Sequence, residues 1–489
     1  MAKASNNTFS ITYKEFNLGA APLAHLDTLT EVGKSGHYAS AANIDIISNP
    51  GLLTQGPGLS TLTAGTEAGA ITELVNFIMD TAVAADVTYA ISTTKLHKLS
   101  STAVTNAGSF PHAITSATDG SSVALLRGNL YYFFNKASGG DIGKYDLASS
   151  FTDNWGSTVP TGAAALQNAI HPVATQQDIM AFGNGRYLGI YIDSTTTLAP
   201  TKLDFGNDAV VADVLFQANQ WWIAVNSGIS GTNRTIGRIY IYDGAAISSI
   251  IADETAVGVQ RIGFIYPLNG IIYVAYQDLS SSGGFKIGYI SGRQLKALRY
   301  FTGTLPTFAQ KTLYNNTITF ISNGLVYSCG AVIEQLPVQI SQLADAGYST
   351  VGAIAAPFGT PMVASTQSTS FKLAKFSGFD TACNWRSIVI PLIRGTLVGY
   401  IDAIVVTTKT LGSGARADLI VEINQGTTSS TTQQITTTGK RRHLFKSFGL
   451  PQAGGVEDFR LYLNWANGST SNDCAIRSIT VMGHFKEKG

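Results

Sequence analysis

The feature that most constrains the fold is a unit that returns along the chain: an apolar strand, a turn carrying Asn or Gly, an aromatic-rich strand, a polar loop and a further strand. Leu130-Tyr131-Tyr132-Phe133-Phe134 follows Gly128-Asn129 and leads to Gly139-Gly140-Asp141-Ile142-Gly143-Lys144-Tyr145. Tyr187-Leu188-Gly189-Ile190-Tyr191-Ile192 follows Asn184-Gly185, and Gln220-Trp221-Trp222-Ile223-Ala224-Val225 leads to Ile236–Tyr242. Ile271-Ile272-Tyr273-Val274-Ala275-Tyr276 follows Asn269-Gly270, and Thr317-Ile318-Thr319-Phe320-Ile321 follows Asn315-Asn316. Val87–Ile91 is a fainter copy behind the turn Ala84-Ala85-Asp86. The turns fall near residues 86, 128, 184, 219, 269 and 315, a spacing that averages in the mid-forties. One four-stranded propeller blade has about that length. The expectation is an all-β chain with a β-propeller of about six blades, five or seven being the alternatives. Its repeats run over roughly 70–330 within a domain of 43–356. The strand Asn43–Ile47 is expected to close the ring against the segment near 351–355, which would protect the open sheet edges. No helical pattern lies between the strands, which argues against parallel βαβ folds.

The ends of the chain read differently. Residues 1–42 lack sustained periodicity, with Gly19–Ala24 read as a loop, and are expected to be a docking arm that orders on a partner surface. Pro357-Phe358-Gly359-Thr360-Pro361 reads as a break. Beyond it, Trp385–Leu392, Tyr400–Val406, Ala417–Ile423, Phe459–Trp465 and Ile476–Met482 are short apolar strands between polar turns. That is the pattern of a β-sandwich or jelly roll, assigned to 366–489.

Composition narrows the function. Charged residues make up 13% of the chain, about half the usual roughly 25%. The net charge is +1, which gives too weak a field for general nucleic-acid binding. Lys440-Arg441-Arg442-His443 is the compact cationic run, read as a solvated turn. The polar start of the chain carries no secretory h-region, and no apolar run approaches the roughly 20 residues of a membrane helix. Assembly in a cytoplasm, with no membrane span, is the expectation.

A search for chemistry finds little. Cys329, Cys383 and Cys474 are far apart and form no C-x-x-C pair, so buried free thiols are expected, a Cys383–Cys474 bridge being the alternative. The seven histidines are dispersed, and no P-loop, H-E-x-x-H or G-x-S-x-G motif occurs. No catalytic, cofactor or metal residues are assigned. A glycosidase would need two carboxylates, and Asp141, Asp193, Asp213, Asp243 and Asp278 are the candidates. Turn-capping by Asp193, Asp243 and Asp278 is the plainer reading. Trp221 and Trp222 are candidate glycan contacts, although adjacent side chains on a strand point to opposite faces, so one of them is expected in the core. The repeats otherwise offer turn and core residues and no recurring polar constellation.

Ile44-Asp45-Ile46-Ile47-Ser48-Asn49-Pro50-Gly51-Leu52-Leu53-Thr54-Gln55-Gly56-Pro57-Gly58-Leu59 resembles the opening of tailed-bacteriophage virion propeller proteins of the tail hub and nozzle kind. The resemblance implies a non-catalytic structural component of the tail or neck, assembled in the host bacterial cytoplasm and resident in the virion. It implies no cofactor, and as partners portal, adaptor or tail subunits and further copies in a homo-oligomeric ring. A tail protein that binds a host surface glycan is the alternative, with a propeller glycosidase behind it.

Overall fold

The structure, a computed structural model, describes residues 8–14, 16, 19–20, 37–67, 73–78, 86–106, 108–228, 235–251, 258–278, 283–330, 336–343, 347–367, 370–426, 428–446, 448–450, 452 and 454–487. The turn residues Ala84 and Ala85 and most of the loop read at 19–24 lie outside them. The chain is all-β, with successive four-stranded antiparallel sheets arranged as in a β-propeller.

Seven such sheets occur among the described residues. Sheet 1 holds Glu73–Ile78, Asp86–Ile91, Lys95–Leu99 and His112–Ala113; sheet 2 holds Asp119–Leu126, Asn129–Lys136, Gly139–Tyr145 and Phe151–Thr152. Sheet 3 holds Val173–Gln176, Ile179–Asn184, Tyr187–Ile192 and Thr197–Asp204; sheet 4 holds Ala209–Gln217, Gln220–Gly228, Thr235–Tyr242 and Ile247–Ile251. Sheet 5 holds Val259–Leu268, Ile271–Asp278, Gly284–Ser291 and Gln294–Thr302; sheet 6 holds Lys311–Tyr314, Thr317–Ser322, Leu325–Cys329 and Val338–Gln342. Sheet 7 takes Tyr348–Ala355, Met362–Gln367 and Ser370–Phe379 from one stretch of chain and its last strand, Pro57–Glu67, from ahead of sheet 1.

The first strands of these sheets pack in sequence. Glu73–Ile78 lies against Asp119–Leu126, which lies against Val173–Gln176, then Ala209–Gln217, then Val259–Leu268. Sheet 6 follows through Thr317–Ser322 and Lys311–Tyr314, and Tyr348–Ala355 returns to Glu73–Ile78. The circle is therefore closed, and the strand from 57–67 fastens the seventh sheet to the chain that begins the first.

Hairpin chemistry explains the geometry. Arg127 and Gly128 (φ 47° and 76°), Asn269 and Gly270 (51° and 80°) and Asn315 and Asn316 (48° and 57°) are consecutive left-handed residues. These are the turns whose twist matches that of paired strands. The six landmark turns fall one in each of sheets 1 to 6, so the seventh observed sheet is the one that lies beyond the last of them. Asn184-Gly185 joins the second and third strands of sheet 3, whereas its first hairpin turns at Gln177-Asp178, which carries no Asn-Gly signature. The segment Pro357–Gly359, read as a break, is a short 3-10 turn between the first two strands of sheet 7. The seventh sheet thus crosses the boundary placed at 356. The strand expected to close the ring does not: Ile44–Asp45 pairs with Thr54–Gln55, and Pro57–Glu67 takes the closing position.

By contacts the chain divides into two compact units, Ser60–Gly324 with Gly347–Lys375, and Met1–Leu59 with Leu325–Ala346 and Phe376–Gly489. In the first, the ring unit, aromatic strands are buried on both faces. Leu130, Tyr132 and Phe134 pack with Tyr89 and Ile91 of sheet 1, while Tyr131 and Phe133 pack with Met180 and Phe182 of sheet 3.

The second unit contains two larger antiparallel sheets. One pairs Thr8–Tyr13, Ile476–Glu487, Leu397–Thr408 and Ile393–Arg394, with Arg442–Phe445 also on Leu397–Thr408. The other pairs Ser40–Ala42, Asn384–Arg386, Asp458–Asn464, Ala417–Ile423 and Thr428–Ser429, with Ile390–Pro391 and Gln433–Ile435 attached. The segment expected to be a docking arm supplies strands to both sheets. Thr8–Tyr13 runs antiparallel to Ile476–Glu487 with Thr8 opposite His484 and Tyr13 opposite Ile479, and Ser40–Ala42 pairs with Asn384–Arg386. Its period-2 pattern is short, but Ile11 and Tyr13 are buried. Trp385 is fully buried, with the rings of Tyr13, Phe16 and Tyr38 at 5.8, 5.7 and 6.4 Å.

Candidate functional site

Where the first strands of sheets 4 and 5 begin, the ring unit holds a depression of about 350 Å³. One wall is Val210–Ala212 with Asn226 behind it; the next is Arg261–Gly263 with Gln277 behind it. The connection between sheets 5 and 6, Thr304–Phe308, and Ile170 from the connection between sheets 2 and 3 complete it. A neighbouring depression of about 140 Å³ shares Ile170, Thr307 and Phe308 and reaches Asp119–Ser121, Asn135 and Gly352. Both lie within the ring unit.

The local backbone explains the hollow. The first strands carry β-bulges at these places, between Gly120 and Ser122, Val211 and Asp213, Ile262 and Phe264, and Val351 and Ala353. A bulge leaves one residue unpaired and bends its strand. Gly263 is required where it stands, because a Cβ there would sit 2.0 Å from the carbonyl oxygen of Pro306. The Thr304–Phe308 connection is thereby held directly on sheet 5. Its far end is anchored by Phe308 and Ala309, which pack with Leu62, Ala90, Ala353 and Leu373.

A polar residue lies at or near the end of the second strand of sheet after sheet and bonds to backbone beside it. The Asn226 amide clamps Ile262, accepting from its N–H at 2.7 Å and donating to its carbonyl at 2.9 Å. Asn135 accepts from the Ala169 N–H at 3.2 Å, and Asn184 accepts from the Gln167 N–H at 2.7 Å. Gln277 donates to the Gly284 carbonyl at 2.9 Å and Ser322 to the Thr304 carbonyl at 2.9 Å. This is a recurring polar set that the sequence reading passed over. Its signal is the residue directly after each aromatic run: Asn135 after Phe134, Asn226 after Val225, Gln277 after Tyr276, Ser322 after Ile321.

The five acids considered for glycoside hydrolysis are spread over sheets 2 to 5, and none lines either depression. Asp141 is fully buried and accepts from Lys136 at 2.6 Å, Ser157 at 2.7 Å and the Ile142 N–H at 2.8 Å. Asp213 pairs with Lys311 and accepts from the N–H groups of Ile265 and Val214 at 2.8 and 2.9 Å. Asp278 pairs with Lys286 at 2.6 Å. Asp193 accepts from the hydroxyls of Tyr131 and Tyr191 at 3.2 and 3.0 Å. Asp243 caps its turn, accepting from the N–H groups of Ala245 and Ala246, and these bonds hold its carboxyl below the usual range. Of the three acids read as turn residues, only Asp243 bonds in that way alone.

Trp221 is 4% exposed and packs with Ile190, Val211 and Tyr240 in the core between sheets 3 and 4, so it has no face to offer a sugar. Trp222, on the opposite face, is half-buried against the core between sheets 4 and 5 and donates from its indole to the Gln217 carbonyl at 3.3 Å. The two tryptophans are not brought together. Cys329, Cys383 and Cys474 are buried free thiols, and burial pushes the Cys329 thiol up to about 12. The side chains of the cationic run separate, with Arg441 donating to the Thr410 hydroxyl at 2.6 Å and His443 turned into the interior. No helix among the described residues is long and apolar enough to cross a membrane. Among the same residues no His, Cys, Asp or Glu cluster is of a kind that could hold a metal ion.

No family model matches the chain, and no curated protein matches it. Several solved structures resemble it. The extracellular domain of a one-component system protein from B. thetaiotaomicron is 12% identical with a TM-score of 0.44, over 73% of this chain and 44% of that one. This chain therefore spans less than half of that protein's length. The CNH domain of AfRom2 is 11% identical with a TM-score of 0.42, over 66% of this chain and 100% of that one. The β-propeller domain of the Trilobed protease from Pyrococcus furiosus is 10% identical with a TM-score of 0.39, over 64% and 96%. These proteins differ in function, and such distant likeness carries none of it to this chain.

Proposed function

We propose that the chain is a non-catalytic structural component of a tailed-phage virion, in the tail or neck, that works through protein–protein interfaces. Its second unit is read as a β-sandwich, and its partners as portal, adaptor or tail subunits and further copies of itself in a ring. The observation that carries the reading is the way the ring unit spends its charge. The buried acids Asp141, Asp213 and Asp278 each hold a lysine, and Asp243 holds a turn. None of the five candidate acids lines either depression, where hydrolysis of a glycoside would require a pair. The test is mass spectrometry of tailed particles purified from the strain that carries the gene, with light scattering of the isolated protein. Stoichiometric presence in particles and a defined oligomer are expected. A strict monomer that never enters particles would overturn the proposal.

A further inference from the structure

The depression of about 350 Å³ between sheets 4 and 5 has the size of a small-molecule site. Its chemistry is lopsided. The walls are mostly aliphatic, and two apolar side chains stand at the mouth, Ile170 at 55% exposure and Val210 at 47%. Almost every polar side chain in the lining is already used. Asn226 holds the Ile262 backbone, Gln277 holds the Gly284 carbonyl, Thr304 donates to Asn323 at 3.1 Å, and Thr307 closes a capping box with Gln310. The exception is Arg261, which is exposed and whose side chain has no hydrogen bond or ion pair among the described residues. Among the described residues no acid lines this depression, and the carboxylate in the lining of its neighbour is Asp119.

We infer that this depression binds a small amphipathic monocarboxylate, with its apolar body against Val210, Ile262 and Leu305 and its carboxylate on Arg261. A guanidinium matches a carboxylate with two parallel hydrogen bonds, which a lone lysine could not supply. A single cation suits a single negative charge better than a phosphate's. A sugar fits poorly, because its many hydroxyls would meet aliphatic walls and polar groups that are already paired. The site is also preformed: Gly263 seats the Thr304–Phe308 connection on sheet 5 and Phe308 anchors it in the core, so little ordering is left to binding.

The test is isothermal titration of the whole chain with phenylbutyrate, phenylbutanol and phenylbutylamine, three probes with one apolar body and different charge. Saturable binding of phenylbutyrate at one site is expected, about tenfold or more tighter than the alcohol, as for one charge-assisted pair, with the amine weakest. Arg261→Gln should bring the acid down to the affinity of the alcohol, and Arg261→Lys should restore part of the difference. Arg261 is exposed, so both variants should keep the parent melting temperature. Val210→Trp, which fills the mouth, should weaken the acid and the alcohol alike. Absence of saturable phenylbutyrate binding overturns the inference. So does equal affinity for acid and alcohol, or unchanged acid binding in Arg261→Gln.

Discussion

The two units build β-sheets from the same residue types but bury them differently. In the ring unit the second strands are covered on both faces: Asn129–Lys136 and Thr317–Ser322 are buried along almost their whole length. In the other unit Asp458–Asn464 alternates strictly, with Phe459, Leu461 and Leu463 fully buried and the residues between them half-exposed. A sheet packed between two neighbours has no polar face, so its strands read as apolar runs. A sheet with one covered face keeps its alternation. The consequence is chemical as well. Polar groups inside the ring have no water to turn to, and the ring meets that demand with lysine–aspartate pairs and with the asparagines that end its second strands. The other unit gathers its aromatic side chains around Trp385 instead.

Substitutions in the two units separate these strategies, and the largest effect is expected at Trp385. Trp385→Ala removes a fully buried indole from among three aromatic rings and should cost about 3–5 kcal/mol in chemical denaturation. In the ring unit, Asp213→Ala strands Lys311 against Phe264 and Tyr266 and should cost about 3–5 kcal/mol. The double change Asp213→Ala with Lys311→Met should recover much of that loss, which a purely steric account would not give.

Acid should divide the two units by sign. His171 is fully buried, donates from Nδ1 to the Gly183 carbonyl at 2.8 Å and has no partner at Nε2 among the described residues. Burial lowers its pKa from 6.5 to about 4. The unfolded chain therefore takes up a proton first as the pH falls. Stability is lost between about 6.5 and about 4, by on the order of 3 kcal/mol at the acid end. His171→Gln should flatten that dependence in melts followed from neutral pH downward. Asp473, in the other unit, is pushed up to about 7 by burial, against the pull of the Gln55 N–H and Lys409. Its carboxyl keeps its proton in the folded state, so its contribution is lost as the pH rises from about 4 to about 7. Asp473→Asn should remove that opposing slope. The smallest effect is expected from Asn226→Ala, which leaves the Ile262 N–H and carbonyl unpaired and should cost about 1–3 kcal/mol. It should also raise the exchange rate of the Ile262 amide.

The repeats were legible because turn chemistry is local: Asn269-Gly270 and Asn315-Asn316 announce hairpins that the backbone then forms. That chemistry is silent elsewhere, and the count slipped at the seventh sheet. Gln177-Asp178 turns without Asn or Gly, and the seventh sheet hides a 3-10 turn behind two prolines. Closure by a strand from ahead of the repeats was legible, but which strand does it was not, because the pairing of Pro57–Glu67 with Ser370–Phe379 spans most of the chain and leaves no local trace. The same distance hid the fate of the first residues, since Thr8–Tyr13 finds its partner at the opposite end of the sequence. Trp221 and Trp222 were read correctly as facing opposite ways, but both faces of a ring strand are interior. The hollow lined by Arg261 could not be read, because bulges and a loop from a distant sheet create it.

The central structural claim is closure of the ring by a strand from outside the repeats. Hydrogen–deuterium exchange of the whole chain tests it, with peptides covering 57–67 compared with those covering 370–379. Closure predicts that both segments are protected and lose protection together under increasing denaturant, as partners in one sheet. Rapid exchange of 57–67 while 370–379 stays protected would contradict it, and would leave the seventh sheet with an open edge.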